Sequence, residues 1–129
     1  GVPDVAEDAD AATRAAAESF EEGLDHFTNA RYAEAATSFA RASAGCPDNA
    51  LYHAHYGQVL SFSSKFRHRA ESELQTAVRL EPQNWKIREM LVEFFLDMNM
   101  EKRAEGELKR FLDLVPGHSE AQRLLRSIS

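Results

Sequence analysis

Few residues in this 129-residue sequence have both the type and the spacing for chemistry. Of its five histidines only His53 and His55 lie close together. Two positions apart on a helix, their rings point roughly 200° away from each other and cannot share one metal ion. Cys46 is the single cysteine, so it has no partner for a disulfide or a thiolate zinc site. There is no glycine-rich phosphate loop, no serine-histidine-aspartate constellation and no pair of carboxylates in a predicted cleft. No catalytic residue, cofactor or metal ligand is therefore read from the sequence, and enzyme activity is expected only of a neighbouring domain. What remains is charge. Glu89, Glu93 and Asp97 recur every four residues on one helix face, as a solvated surface or as the wall of a groove that selects a basic ligand. Lys65-Phe66-Arg67-His68-Arg69 is the one basic cluster. So few charges make weak, salt-sensitive contacts, and the cluster reads as a solvated turn, open to an acidic partner.

Composition narrows the class further. A hydrophobic share of 43% with six glycines and four prolines is ordinary for one globular domain. Charges interrupt every apolar stretch well short of the roughly 18 residues that span a bilayer, so membrane insertion is not expected. The net charge of −6 is concentrated at the front: residues 1–22 hold seven acids (Asp4, Glu7, Asp8, Asp10, Glu18, Glu21, Glu22) against Arg14, and the rest balances at fourteen of each sign. A neutral body behind an acidic lead argues against nucleic acid as a partner. The start has neither the basic residues nor the apolar run of a secretory signal. The ends at Gly1 and Ser129 read as those of a piece cut from a longer protein. The lone cysteine makes a reducing, cytoplasmic compartment the expectation, with the periplasm also compatible.

The elements that position these side chains come from a repeat. Pro47, Pro82 and Pro116 are separated by 35 and 34 residues. Before each lies the same pattern: Ala35, Phe39, Ala42; Ala70, Leu74, Ala77; Ala104, Leu108, Phe111. Upstream, Phe20, Gly23 and Phe27 find counterparts in Tyr56, Gly57 and Leu60, and in Leu91, Val92 and Phe95. Small residues at Gly23, Gly57, Ala35, Ala70 and Ala104 let paired helices approach, and Phe39, Leu74 and Leu108 fill the space between them. Proline ends each second helix because it has no amide hydrogen to donate. Helices are predicted near 10–29, 31–45, 49–63, 66–80, 84–97 and 100–114. Ser119-Glu120-Ala121-Gln122 reads as a capping box opening a seventh helix, which closes the exposed apolar end of a solenoid.

Over residues 16–118 the sequence resembles the tetratricopeptide repeat family, whose 34-residue helix-turn-helix carries these markers at these offsets. The expected organisation is an acidic lead at 1–15, read as a linker or as an extension of the first helix, three repeats at 16–49, 50–84 and 85–118, and a capping helix at 119–129. Departures are Glu22 and His26 in repeat one, one extra residue between Lys65 and Arg69 in repeat two, and Val92 for glycine in repeat three. Phe111 in place of the small alanine predicts looser packing against the last helix.

The resemblance implies an all-α, right-handed solenoid of about seven helices. It also implies a scaffold that binds a peptide or helix of a protein partner in the groove lined by the first helix of each repeat. Family members work in chaperone complexes, in secretion and pilus assembly, and in signalling proteins. Family groove positions fall on Ala17, Phe20, Leu24, Phe27 and Thr28; on Leu51, Ala54, Gln58, Ser61 and Phe62; and on Lys86, Glu89, Glu93, Leu96 and Asp97. Such a groove grades from apolar to acidic and suits a partner with apolar and basic elements. Members that grip acidic chaperone tails use Lys, Asn, Asn, Lys and Arg where this sequence has Phe20, Leu24, His55, Lys86 and Met90, so no such tail is expected to bind. Phe20, Leu24 and Phe27 form an apolar stripe, read either as core or, with Leu51 and Phe62, as an anchor for a partner or for a second copy in a homodimer.

Overall fold

The computed structural model describes the backbone of residues 5–129 and the side chains from residue 9 onward. Asp4 of the acidic lead, and the side chains of Glu7 and Asp8, lie outside the described residues. Seven α-helices follow one another: α1 (Val5–Thr28), α2 (Tyr32–Gly45), α3 (Ala50–Leu60), α4 (Arg67–Leu80), α5 (Trp85–Asp97), α6 (Glu101–Leu114) and α7 (Ser119–Ile128), with a 3-10 turn (Ser64–Phe66) before α4. The described residues contain no strand. α1 with α2, α3 with α4, and α5 with α6 pack as hairpins; α2 on α3, α4 on α5 and α6 on α7 join them into a stack.

The markers act as their sizes require. A methyl group on Gly23 would stand 2.5 Å from the Phe39 ring, and one on Gly57 would stand 2.8 Å from Leu74 and 2.9 Å from the Ala70 carbonyl, so both hairpins close on bare backbone. Ala35, Phe39, Ala42, Ala70, Leu74, Ala77, Leu91, Phe95, Ala104 and Leu108 are all buried, as expected. The hairpin turns differ. After α1 and α5 the chain reverses through Ala30 and Asn99, each at φ 58°, and the amides of Arg31 and Met100 donate back to His26 and Phe95 at 2.8 Å. Repeat two uses its extra residue otherwise: α3 stops at Leu60, not near residue 63, and the chain passes through the 3-10 turn into α4.

Two local expectations are corrected. The cap of α7 is His118, whose Nδ1 accepts from the Ala121 amide at 3.2 Å, and not Ser119. It matches Asn49 and Asn84, which cap α3 and α5 from the same place, two residues after each proline. Gln122 does not reach back to a cap; its Nε2 donates to the Pro116 carbonyl at 2.7 Å. Nor does Phe111 loosen the end of repeat three. It is 1% exposed, with its ring 5.2 Å from those of both Trp85 and His118.

The Gln122 bond belongs to a series. His53 Nε2 lies 2.7 Å from the Pro47 carbonyl, and Arg88 Nη2 donates to the Pro82 carbonyl at 3.0 Å. Each donor stands six residues after its proline, so the turn ending one repeat is tied to the first helix of the next. His53 and Arg88 also reach inward, to Glu73 at 2.6 Å and Glu107 at 3.0 Å, carboxylates on the second helix of their own repeat. Arg69 and Arg110 hold the other oxygens of those carboxylates at 3.0–3.1 Å. The Arg88–Glu107 pair is almost fully buried, and burial pulls Arg88 below the usual guanidinium value against the opposing pull of Glu107.

Candidate peptide-binding groove

The first helices α1, α3 and α5, with Ser61 and Phe62 just past the end of α3, carry the residues assigned to the groove, and these separate into two zones. In repeat one the stripe is split. Phe20 is buried, its ring 4.7 Å from Tyr52, 5.2 Å from His55 and 5.6 Å from Phe39. It therefore belongs to the core, since α1 has both α2 and α3 to pack on. Leu24 and Phe27 are half-buried, and Phe27 rests against Tyr32 at 5.5 Å and Phe62 at 5.8 Å. Ala54 is buried as well, whereas Ala17, Thr28 and Leu51 are exposed.

The second zone is shared by α3 and α5. Gln58, Ser61, Phe62, Met90, Glu93 and Asp97 line a narrow depression of about 80 Å³. Phe62, 55% exposed, closes one side of it and touches Phe27 on the other, which connects the two zones. One turn towards the N-terminus of α5, Glu89 borders a second depression of about 420 Å³, shared with Trp85 and with Glu120, Arg123 and Leu124 of α7. Trp85 Nε1 donates to Glu120 at 3.1 Å. Trp85, Glu120 and Arg123, which border this depression, were not among the residues assigned from the sequence, because the capping helix was given only a structural task.

The zone holds both signs, with Arg123 beside Glu89 and Lys86 exposed on α5, but its carboxylates are not tied up in ion pairs. Glu71, Glu73, Glu105 and Glu107 each have a cationic partner within 3.1 Å. Among the described residues Glu89, Glu93 and Asp97 have none within ion-pair distance. Partial burial, then the neighbouring charges of Glu89 and Asp97, raise the Glu93 carboxyl above the usual carboxylate range; the charge of Lys86, exposed on the first turn of α5, opposes them. At the other end, burial between the rings of Phe20 and Phe39 lowers the His55 imidazole below its ordinary value. Of the five positions associated with acidic-tail binding, Phe20, Leu24 and Met90 are apolar and at least half-buried, and Lys86 is an exposed cation. Among the described residues no group of three metal-ligating side chains is close enough to hold an ion, and no helix is long and apolar enough to cross a membrane.

No protein-family model and no curated protein sequence matches this chain. Solved structures do. The first TPR domain of Spaghetti (RPAP3), bound to the HSP90 peptide SRMEEVD, superposes with a TM-score of 0.73 at 24% identity, covering 90% of this chain and 94% of that one. The TPR2B domain of yeast Sti1 in complex with an Hsp70 peptide gives 0.75 at 16% identity over 89% and 96%. The Sgt2 TPR domain of Aspergillus fumigatus gives 0.73 at 18% identity over 88% and 76%. Together with the 34-residue period and the seven helices, these superpositions identify the fold of the chain as that of a tetratricopeptide-repeat domain, three helix-turn-helix repeats closed by a capping helix.

Proposed function

We propose that this domain is a protein-interaction scaffold whose groove captures a peptide or helix offering an apolar element followed by basic residues. The observation that carries this reading is the row Glu89, Glu93 and Asp97 along one face of α5, with Glu93 and Asp97 lining the same depression as the exposed Phe62 and the Glu93 carboxyl raised by burial and by its two acidic neighbours. A lysine or arginine entering the α3–α5 depression meets carboxylates already crowded and partly desolvated, and its charge relieves their mutual repulsion. Apolar side chains of the same partner settle on Phe62, Phe27 and Leu24. The structurally similar domains of RPAP3 and Sti1 hold chaperone peptides, and this supports peptide capture as the use of the groove. The ligand differs in sign here, because Phe20, Leu24 and Met90 stand where the acidic-tail clamp has polar or basic groups.

Calorimetric titration of a short peptide with two leucines followed by three lysines tests this reading. Micromolar binding is expected, weakened about tenfold or more by Glu93→Gln with Asp97→Asn, since hydrogen bonds to charged groups contribute about 1.5–3 kcal/mol each. Binding unaffected by the double variant would remove the acidic row from the site. A second reading, assembly of two copies through the first repeat, draws on the exposed Leu51 and Phe62. Sedimentation velocity on wild type and Phe62→Ser separates the two, because only self-assembly gives a dimer that the substitution dissolves.

A further inference from the structure

Two equivalent seams run between the second helices of successive repeats, away from the groove, and they are closed to different degrees. Between α4 and α6, Arg103 donates to both oxygens of Glu71 at 3.0 and 2.8 Å and lies 4.3 Å from the centre of the Phe95 ring. Arg103 immediately precedes Ala104, and Glu71 immediately follows Ala70. By the same register the cation of the α2–α4 seam is Arg69, before Ala70, and its acid should follow Ala35. That position is Ala36. Arg69 turns instead to Glu73 on its own helix at 3.1 Å and to the face of Tyr56 at 5.7 Å.

The α2–α4 seam therefore stands open as a groove of about 850 Å³, lined by Ala33, Ala36 and Ala40 of α2 and by Tyr56 and Leu60 of α3. Arg41 and Arg69 are the charged residues of its lining, and no acid lines it. Arg41 makes no ion pair among the described residues. The groove continues into an apolar depression of about 230 Å³ beside Tyr32, Phe62 and Phe66, which are 43%, 55% and 42% exposed. Of the basic cluster Lys65 to Arg69, Phe66 and Arg69 border this apolar channel.

We propose that the α2–α4 seam docks an amphipathic helix of a partner protein, whose apolar face fills the alanine-lined channel and whose carboxylates pair with Arg69 and Arg41. The partner's acid takes the place that Glu71 holds in the next seam. The alanines leave room for its larger side chains, and the exposed aromatics at the end of the channel provide anchors. The two faces then select opposite charges; they meet at Phe62, which lines both, so the charged residues of each, Arg41 and Arg69 here and Glu93 and Asp97 there, tell the sites apart.

Fluorescence anisotropy with two synthetic helical peptides tests it, one with a leucine and alanine face flanked by glutamates, the other identical but with lysine at each glutamate. The glutamate peptide is expected to bind wild type at least about tenfold more tightly than the lysine peptide at this seam. Ala36→Glu supplies Arg69 with the missing carboxylate and is expected to weaken glutamate-peptide binding by a similar factor, at unchanged helix content and melting temperature. Arg41→Glu, on an exposed residue, should weaken it as well, while Glu93→Gln with Asp97→Asn should leave it unchanged. Equal binding of the glutamate peptide by wild type, Ala36→Glu and Arg41→Glu would overturn the proposal. So would a wild-type dimer in sedimentation that Ala36→Glu dissolves, since the occupant would then be a second copy of this chain.

Discussion

In repeats two and three a carboxylate on the second helix, Glu73 or Glu107, is tied to His53 or Arg88 on the first and from there to a proline carbonyl. In repeat one the corresponding positions are Ser38 and Ser19, and the joint is filled by the rings of Phe20, Phe39, Tyr52 and His55. The polar joint is directional. It fixes the angle at which one repeat leaves the last, but it tolerates poorly the loss of one member, because the other is then buried without a partner. The aromatic joint draws on area and ring contact, which are less angle-specific. Repeat one is thus joined by ring contacts, while repeats two and three, whose joints are charged ties, flank the acidic row of α5.

Substitutions sharpen this contrast. Glu107→Ala strips the buried Arg88 of its counter-charge and should destabilise the fold by about 3–5 kcal/mol, read as a shift of the urea midpoint; less than about 1 kcal/mol would mean that the joint is dispensable. Gly23→Ala drives a methyl group against Phe39, whose ring is fully buried, and should cost about 1–3 kcal/mol by overpacking. His55 gives repeat one a pH dependence. Its folded value is lowered by burial, so the unfolded chain binds the proton more readily; its contribution to stability is present above the ordinary imidazole value of 6.5 and fades as pH falls through it. Melting temperatures between about pH 7.5 and 5.5 should fall less for His55→Phe than for wild type. Ser38→Ala, at the buried position that carries Glu73 and Glu107 in the later repeats, removes one hydroxyl and no charge and should change stability by no more than about 1 kcal/mol.

The solenoid was legible because its markers are steric. Gly23 and Gly57 admit no side chain, and the prolines interrupt hydrogen bonding, so their spacing marks the hairpins directly. The division of large apolar residues between core and surface was less so. Phe20, Leu24 and Phe27 share one helix face by periodicity, yet α3 covers Phe20 and leaves Phe27 half open, a three-helix effect that no single period contains. The ties to the proline carbonyls were overlooked for a different reason. Imidazole, guanidinium and amide at His53, Arg88 and Gln122 look unrelated as residue types, although each donates six residues after a proline. The open α2–α4 seam was visible only once Arg103 was seen to reach Glu71, which gives Ala36 its meaning.

Calorimetric titration of SRMEEVD, the peptide bound to the first TPR domain of RPAP3, and of its charge-reversed counterpart SRMKKVK decides whether the proposed groove prefers basic ligands. SRMKKVK is expected to bind, and SRMEEVD to give no heat of binding. Micromolar binding of SRMEEVD that is abolished by Lys86→Ala, the one cation kept from the acidic-tail clamp, would contradict that preference.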